Sequence, residues 1–238
     1  MIVTIKAVMT EKLIPSDYSS VFVSLIKKCL SESCVELFEE FYVKKNNEQK
    51  DFSFAVKFKE PVFKSDVIEV DGKELEMQLH ILDPKNAIDF YNGFMKQKGK
   101  IFPMPLGNQL TIIDVNIRNH RLVKSKKILI KMNSPLLVRI HENGKDYYLA
   151  YNDDCFNKYL NMSVNLSTHN QDSTEKITIK PLNAKKTVVR TFGSKITGNI
   201  GVYELEADIE LLNKLVQTGI GSRKSQGFGC FDVIREVI

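Results

Sequence analysis

Cysteine is scarce in this sequence, with four residues among 238. None of the four belongs to a CxxC pair and no histidine lies at zinc-ligand spacing from them, which excludes the common zinc-binding motifs. Long apolar runs are also missing, because no stretch approaches the roughly 20 residues that cross a bilayer. Residues Met1–Lys6 predict a strand rather than a signal peptide. We therefore expect a cytoplasmic protein with reduced thiols, without a metal, a cofactor or membrane association.

The composition is that of an ordinary soluble globular protein, with 43% hydrophobic and 26% charged residues. A length of 238 residues allows one large domain or two small ones, each with its own core. The net charge of +5 suits a polyanionic partner, although nucleic-acid binding depends on a local basic face rather than on the total. Charge alone therefore permits an RNA partner without indicating one.

Hydrophobic periodicity predicts a β-α-β-β-α-β order in the first half of the chain. Apolar side chains alternate over Phe52–Phe58 and over Leu75–Ile81, which predicts two strands, with His80 on the polar face of the second. Asp83 and Pro84 are typical of a helix start, because a cap precedes proline at the first helical position. Further strands at both ends of this region complete the order of a ferredoxin-like fold.

The same order of elements begins again after Lys124–Lys127, the best candidate for a linker. Strands are predicted at 128–133, near 175–180, at 186–192 and at 198–206, with helices near 153–162 and at 208–218. We therefore predict an α+β protein of two tandem ferredoxin-like (RRM-like) halves, with domains at residues 1–123 and 124–238. The second domain carries a C-terminal glycine-rich loop.

The glycine-rich loop lies between the last predicted helix and the last predicted strand. Four glycines in eleven residues surround Arg223 and Lys224. Glycine permits positive φ and a close approach of backbone N–H groups to a ligand, and the two cations add charge. This favours contact with a phosphate chain over a tight structural turn, for which one glycine would suffice. The predicted contacts are Gly219, Gly221, Ser222, Arg223, Lys224, Ser225, Gln226, Gly227 and Gly229.

This loop resembles the C-terminal glycine-rich loop of the RAMP superfamily of CRISPR-associated proteins, and more narrowly that of the Cas6 family of repeat-RNA endoribonucleases. Ser134–Arg139 is similar to the family's Ser-Pro-hydrophobic-hydrophobic-Val-Arg strand. Gly198–Glu206 is similar to the family's strand before the last helix. The similarity extends over nearly the whole chain and is strongest in its second half.

The resemblance implies cleavage of the repeat RNA in a precursor CRISPR transcript. In this family a ribose 2′-OH attacks the adjacent phosphate without a metal ion, which leaves a 2′,3′-cyclic phosphate and a 5′-OH. Repeat RNA is then the main partner, other Cas proteins of an effector complex are further partners, and the protein is a monomer or a homodimer. A non-catalytic relative that holds or delivers the guide RNA, and a structural RAMP subunit, fit the same resemblance.

The sequence departs from the family pattern where the family carries its catalytic histidine. Residues 20–55 contain no histidine, and Tyr42 stands about where it is expected. By resemblance, the candidate catalytic residues are Tyr42, Lys27, Lys44 and Lys45, with Lys50 as a further cation. The alternative is that Tyr42 belongs to the core and that the lysines form a solvated face.

The remaining candidate RNA contacts are basic residues of the second half. Arg139 and His141 are two apart on a predicted strand and share a face, which suits a phosphate and its proton donor. Lys185, Lys186 and Arg190 are predicted to follow the RNA backbone, or alternatively to form a charged hairpin edge that discourages aggregation. The histidines of the sequence are His80, His120, His141 and His169, and none replaces the missing one.

Overall fold

Two antiparallel β-sheets, one from each half of the chain, form the framework of the protein. The computed structural model describes residues 1–44, 48–168 and 176–237. Across these ranges, no helix is long and apolar enough to cross a membrane. Two residues singled out in the sequence, Lys45 and His169, lie outside the described residues.

The five-stranded sheet belongs to the first half of the chain. In chain order this half contains β1 (Ile2–Met9), β2 (Leu13–Pro15), α1 (Tyr18–Ser33), α2 (Val35–Glu39), a π-helical segment (Glu40–Lys44), β3 (Phe52–Phe58), β4 (Val62–Phe63), β5 (Val67–Glu69), β6 (Glu74–Ile81), α3 (Pro84–Gln97), β7 (Ile101–Pro103) and β8 (Gln109–Arg118). The sheet order is β3-β6-β1-β8-β7, and β2, β5 and β4 form a small separate sheet. Helices α1 and α3 pack against each other and share one apolar core with the large sheet.

The four-stranded sheet belongs to the second half. In chain order this half contains β9 (Lys127–Met132), β10 (Arg139–Glu142), β11 (Lys145–Tyr148), α4 (Phe156–Thr168), β12 (Thr178–Thr191), β13 (Ser194–Glu206), α5 (Ile209–Thr218), a 3₁₀ turn (Lys224–Gln226) and β14 (Phe231–Glu236). The sheet order is β12-β13-β9-β14, and β10 pairs with β11 as a separate hairpin. Strands β12, β13, β9 and β14 correspond in position to β3, β6, β1 and β8 of the first sheet, so the two sheets have the same strand order. The prediction of two ferredoxin-like halves is therefore confirmed.

The predicted start of α3 is confirmed in atomic detail. The Asp83 carboxylate accepts hydrogen bonds from the backbone N–H groups of Lys85 and Asn86, at 2.7 and 3.3 Å. Pro84 occupies the first helical position, where its missing N–H costs nothing. Cap and proline together fix where the chain turns from β6 into the helix.

One strand of the second half differs from the predicted pattern. The sequence predicts separate strands near 175–180 and at 186–192, whereas Thr178–Thr191 is a single strand with a register shift between Pro181 and Asn183. Proline cannot donate to the hydrogen-bond ladder, but β12 lies at the edge of its sheet, where proline is tolerated. The predicted break is therefore wrong, and the two segments form one long strand.

Both faces of the five-stranded sheet are covered. The alternation of β6 predicts His80 on a polar face, but this side chain is buried and its Nδ1 lies 3.2 Å from the carbonyl oxygen of Val216 on α5. The prediction is wrong at this residue because α5, from the second half, packs on that face of the sheet. The contact joins the two halves of the chain.

The predicted linker is fastened to the second half by hydrogen bonds. The N–H groups of Lys124 and Ser125 both donate to Glu236 Oε2 at 2.8 Å, and Lys127 already belongs to β9. Val123 packs in the apolar core of the second half. The boundary between residues 123 and 124 stays a prediction.

Candidate nucleic-acid interface

The glycine-rich loop, residues 219–229, packs between the two halves of the chain. All four of its glycines have positive φ, from 67° to 89°. A side chain at Gly219 would meet Ser53 Oγ at 2.6 Å, and one at Gly227 would meet the Phe54 ring at 2.9 Å. Glycine is therefore required both by the backbone conformation and by the close approach of β3 from the first half.

The segment Ser134–Arg139 supports the loop from the second half. Ser222 N donates to Leu137 O at 2.8 Å, and Gly229 N donates to Pro135 O at 2.9 Å. The two motifs that carry the family resemblance are thus in direct contact. Because these loop N–H groups are occupied within the protein, contact with a phosphate falls mainly to the side chains of the loop.

The polar side chains of the loop divide into accessible and buried ones. Arg223, Ser225 and Gln226 are partly exposed, whereas Ser222 and Lys224 are buried. Burial lowers the pKa of Lys224 to about 8, against the opposing charge of Asp51. Of the two predicted loop cations, Arg223 is the accessible one.

A cleft of about 320 Å³ opens beside the loop, and we call it the loop cleft. Its lining residues come from the region after α2, from the end of the Ser134–Arg139 segment, from the β12–β13 turn and from the glycine-rich loop. They are Glu48, Gln49, Lys50, Arg139, Phe192, Ser222, Arg223, Lys224, Ser225 and Gln226. Four cations therefore converge on one concave surface at the junction of the two halves, which suits a phosphate backbone.

Tyr42 holds two lysines next to the loop cleft. Lys27 Nζ lies 5.0 Å and Lys50 Nζ lies 5.3 Å from the centroid of the Tyr42 ring, which are cation–π distances. Burial raises the pKa of Tyr42, so its phenol stays protonated at neutral pH and is a poor base. The Tyr42 ring therefore positions the ammonium groups of Lys27 and Lys50 by cation–π contact.

Lys50 is the residue of this group that lines the cleft. It is only 8% exposed, and its pKa is lowered by burial and then by the charge of Lys27, against the opposing charge of Glu48. A lysine with a lowered pKa gives up its proton more readily than an ordinary one. Lys50 thus brings a partly desolvated ammonium group to the wall of the loop cleft.

Of the other two predicted catalytic lysines, the structure describes only Lys44, which does not line the cleft. Lys44 lies on the π-helical segment with its Nζ 3.8 Å from Glu39 Oε2, and it is not among the lining residues. Lys45 is outside the described residues. Tyr42 and Lys27 lie together with Lys50, so the sequence-derived group is assembled in part, and its catalytic roles stay predictions.

The predicted RNA contacts on β12 differ in what they touch. Lys185 and Lys186 are exposed. Arg190 is turned to the first half of the chain instead, with its Nη1 2.6 Å from Asp66 Oδ1. Lys185 and Lys186 are thus available to a ligand, whereas Arg190 already has an acidic partner that joins the two halves.

The β10–β11 hairpin borders a second cleft, of about 600 Å³, which we call the hairpin cleft. Its central residue is Asp146, whose Oδ1 lies 2.7 Å from His141 Nδ1. Asp146 Oδ2 accepts hydrogen bonds from Arg139 Nη1 at 3.3 Å and from Arg223 Nη2 at 3.1 Å. Partial burial works against ionisation of Asp146, but these donors outweigh it and lower the pKa of the carboxyl group. The sequence analysis missed Asp146.

The remaining described histidines lie elsewhere. The rings of His80 and His120 are 5.0 Å apart and line a cavity of about 590 Å³ between the two sheets. Among the residues that the structure describes, His141 is the only histidine that lines the loop cleft or the hairpin cleft.

Comparison with known proteins identifies the family. Residues 117–233, about half of the chain, match the family model described as CRISPR associated protein Cas6, C-terminal. No curated protein matches the sequence. A solved structure described as a RAMP protein binding different RNA substrates is 16% identical, with a TM-score of 0.84 over 99% of this chain and 100% of that one. The product of a Cas6-related gene from Pyrococcus furiosus is also 16% identical, with a TM-score of 0.84 over 100% of this chain and 99% of that one.

A third structure, described as CRISPR associated protein Cas6, has 16% identity and a TM-score of 0.76 over 99% of both chains. At such identities the structural likeness establishes the shared fold, and the family model establishes the lineage of the second half. The Ser134–Arg139 segment and the glycine-rich loop, which carry the resemblance, are also in direct contact. The chain belongs to the Cas6 family of CRISPR-associated RAMP proteins.

Proposed function

We propose that this protein binds the repeat RNA of a precursor CRISPR transcript and cleaves it by metal-independent attack of a ribose 2′-OH on the adjacent phosphate. The loop cleft is the observation that carries the proposal. It brings Lys50 from the first half together with Arg139 and Arg223 from the second half on one concave surface. A transcript as substrate fits the cytoplasmic location expected from the sequence.

The cleft offers each group that the transesterification needs except a strong base. Arg139 and Arg223 each bind Asp146 through one Nη atom, and the remaining N–H groups of each guanidinium can pair with phosphate oxygens and stabilise the charge of the phosphorane. The ammonium group of Lys50 can donate a proton to the leaving 5′-oxygen. Much of the rate then comes from holding the 2′-oxygen in line with the P–O5′ bond.

In this mechanism Tyr42 is a positioning residue. Its ring faces the ammonium groups of Lys27 and Lys50, and its raised pKa keeps the phenol neutral. Burial, and after it charge repulsion from Lys27, lowers the pKa of Lys50. By holding Lys27 close to Lys50, the Tyr42 ring helps to keep the pKa of Lys50 low, which suits Lys50 to the role of general acid.

The test is incubation of the purified protein with the repeat RNA of its own CRISPR array in EDTA, followed by mapping of the RNA ends. We expect one cut with 2′,3′-cyclic phosphate and 5′-OH ends, and no cut when the scissile nucleotide is 2′-deoxy. Lys50→Ala should slow single-turnover cleavage about 100-fold or more, as expected for loss of a general acid. Lys28→Ala is the matched control, since Lys28 is on α1 beside Lys27 but pairs with Glu32 at 3.1 Å.

The second candidate function is RNA binding without cleavage. It is favoured by the absence of histidine from the residues that line the loop cleft, within the part of the chain that the structure describes. It is also favoured by the likeness to a RAMP protein described as binding different RNA substrates. Tight binding of the repeat with intact RNA in the same assay would establish this function instead. Association with other Cas proteins, and a monomeric or dimeric state, remain predictions.

A further inference from the structure

His141 and Asp146 form a hydrogen-bonded pair on the β10–β11 hairpin. They are direct partners in the strand register, and the Nδ1–Oδ1 distance is 2.7 Å. A carboxylate only accepts hydrogen bonds, so this contact places a proton on Nδ1 and leaves the Nε2 of the neutral ring with a lone pair. The His141 side chain is 62% exposed, which leaves that nitrogen accessible to a ligand.

Positive groups surround this pair. The second oxygen of Asp146 binds Arg139 and Arg223, and Arg223 lies 5.4 Å from the centroid of the Tyr148 ring. The charged residues that line the hairpin cleft together with His141 are Arg139, Lys145, Asp146, Lys195 and Arg223. With one carboxylate among four cations, the cleft retains net positive charge for a phosphate.

The hairpin cleft shares two lining residues with the loop cleft. Arg139 and Arg223 line both clefts, whereas His141 lines the hairpin cleft and Lys50 lines the loop cleft. A phosphate bound by the two guanidinium groups would therefore have a candidate base in one cleft and a candidate acid in the other, the two groups that in-line displacement requires.

We propose that His141 is the general base of the cleavage reaction, held by Asp146 and acting across Arg139 and Arg223 from Lys50. The inference rests on the proposed function and supplies the base that the loop cleft lacks. His141 Nε2 takes the proton of the 2′-OH while the O2′–P bond forms. The P–O5′ bond breaks and O5′ takes a proton from the ammonium group of Lys50. Exchange with water then returns both groups to their starting protonation states.

The test is single-turnover cleavage of the repeat RNA by the full-length protein in EDTA. We expect His141→Gln to slow cleavage about 100-fold while RNA affinity stays within about twofold, because a general base acts in the transition state. Added imidazole should restore cleavage by His141→Ala and leave Lys50→Ala unchanged. Glu142→Gln is the matched control, since Glu142 is the neighbouring hairpin residue, does not line the cleft and contacts Tyr159.

Rescue of His141→Ala by added imidazole is the readout that a purely structural role would not change, because free imidazole can replace a missing base but not a missing structural contact. A wild-type protein that cuts, together with a His141→Gln variant that cuts equally fast, would overturn the inference and leave the proposed function standing. A wild-type protein that binds the repeat without cutting it would overturn both.

Discussion

At Gly229 and Gly107 the backbone has nearly the same φ, 67° and 71°, but the two sites differ in their surroundings. A Cβ atom at Gly229 would lie 1.9 Å from Ile220 O, whereas a Cβ atom at Gly107 would meet nothing within 4 Å. The first site therefore combines an unfavourable φ with a steric overlap, and the second has the unfavourable φ alone.

We expect Gly107→Ala to lower the free energy of unfolding by about 1–2 kcal/mol, the cost of positive φ for an L-residue. Gly229→Ala should lower it by more than about 3 kcal/mol, because the Ile220 carbonyl must also move. Urea unfolding of both variants and the wild type measures the difference. Equal losses in the two variants would show that the close packing of this loop does not matter.

Tyr42 offers a test of positioning at the residue scale. Tyr42→Phe retains the ring that faces Lys27 and Lys50, so we expect cleavage within about threefold of wild type. Tyr42→Leu removes the ring face and should slow single-turnover cleavage about tenfold or more, without loss of RNA affinity. A large loss of cleavage rate in Tyr42→Phe would instead show that the hydroxyl group of Tyr42 is required.

The sequence predicts individual residues only where local geometry determines their neighbours. The pairing of Asp146 with His141 could have been predicted from the sequence, because the Asn143–Gly144 turn sets a hairpin register in which the two residues face each other. The burial of Lys224, next to the accessible Arg223, could not have been predicted, because it depends on how the loop packs between the two halves. Adjacent cations in a glycine-rich loop thus have the same sequence signature and different environments.

At the element scale, β12 has both exposed cations and a structural contact. Lys185 and Lys186 are exposed, whereas Arg190 pairs with Asp66 of the first half. The sequence shows three similar basic residues on one strand, and only the tertiary contact separates them. The length of β12 was missed for a related reason, since the tolerance of Pro181 depends on an edge position that the sequence does not specify.

We expect Lys185→Ala/Lys186→Ala to weaken RNA binding. The slope of log K against log salt should fall by roughly 0.7 for each single-strand phosphate that the variant no longer neutralises. Arg190→Ala should change this slope less and should instead increase hydrogen exchange at the tip of the β12–β13 hairpin, because the bond to Asp66 is removed. Filter binding at several salt concentrations and hydrogen exchange measure the two effects. An unchanged slope in the double variant would remove these two lysines from the RNA path.

At the scale of the whole molecule, each ferredoxin-like half follows from hydrophobic periodicity, which is a local property of the sequence. The way the halves pack is not local, so His80, on a face that alternation assigns to solvent, is buried against Val216. The loop cleft and the hairpin cleft depend on the same packing. This is why the sequence identifies the loop and the lysines but not the surface on which they meet.

The interface between the halves should make the protein sensitive to acid. His80 and His120 lie together there, and the groups that act on them are the Met1 amino group, Arg118 and Asp232. Burial lowers the pKa of His80, and burial together with the nearby His80 and Met1 amino group lowers the pKa of His120 to about 3. Both rings therefore resist protonation in the folded protein more than an unfolded histidine does, and His120 stays neutral down to about pH 3.

The direction of the pH effect follows from these shifts. Above about pH 6.5 both histidines are neutral in the folded and the unfolded states, so they have no effect on the pH dependence of stability. As the pH falls below about 6.5, the unfolded chain binds protons that the folded protein excludes, and each histidine lowers the free energy of unfolding by up to about 1.4 kcal/mol per pH unit. For His120 this loss continues down to about pH 3.

We expect His80→Asn/His120→Gln to lose less stability than the wild type between pH 7 and pH 5, because the variant has no imidazole to protonate in the unfolded state. Asparagine at position 80 can still donate a hydrogen bond to the Val216 carbonyl oxygen, so the interface keeps that contact. Urea unfolding of both proteins at half-unit pH intervals measures the difference. The carboxylates are the same in both proteins, so their contribution cancels. Parallel pH dependences would mean that the two rings accept protons in the folded state without opening the interface.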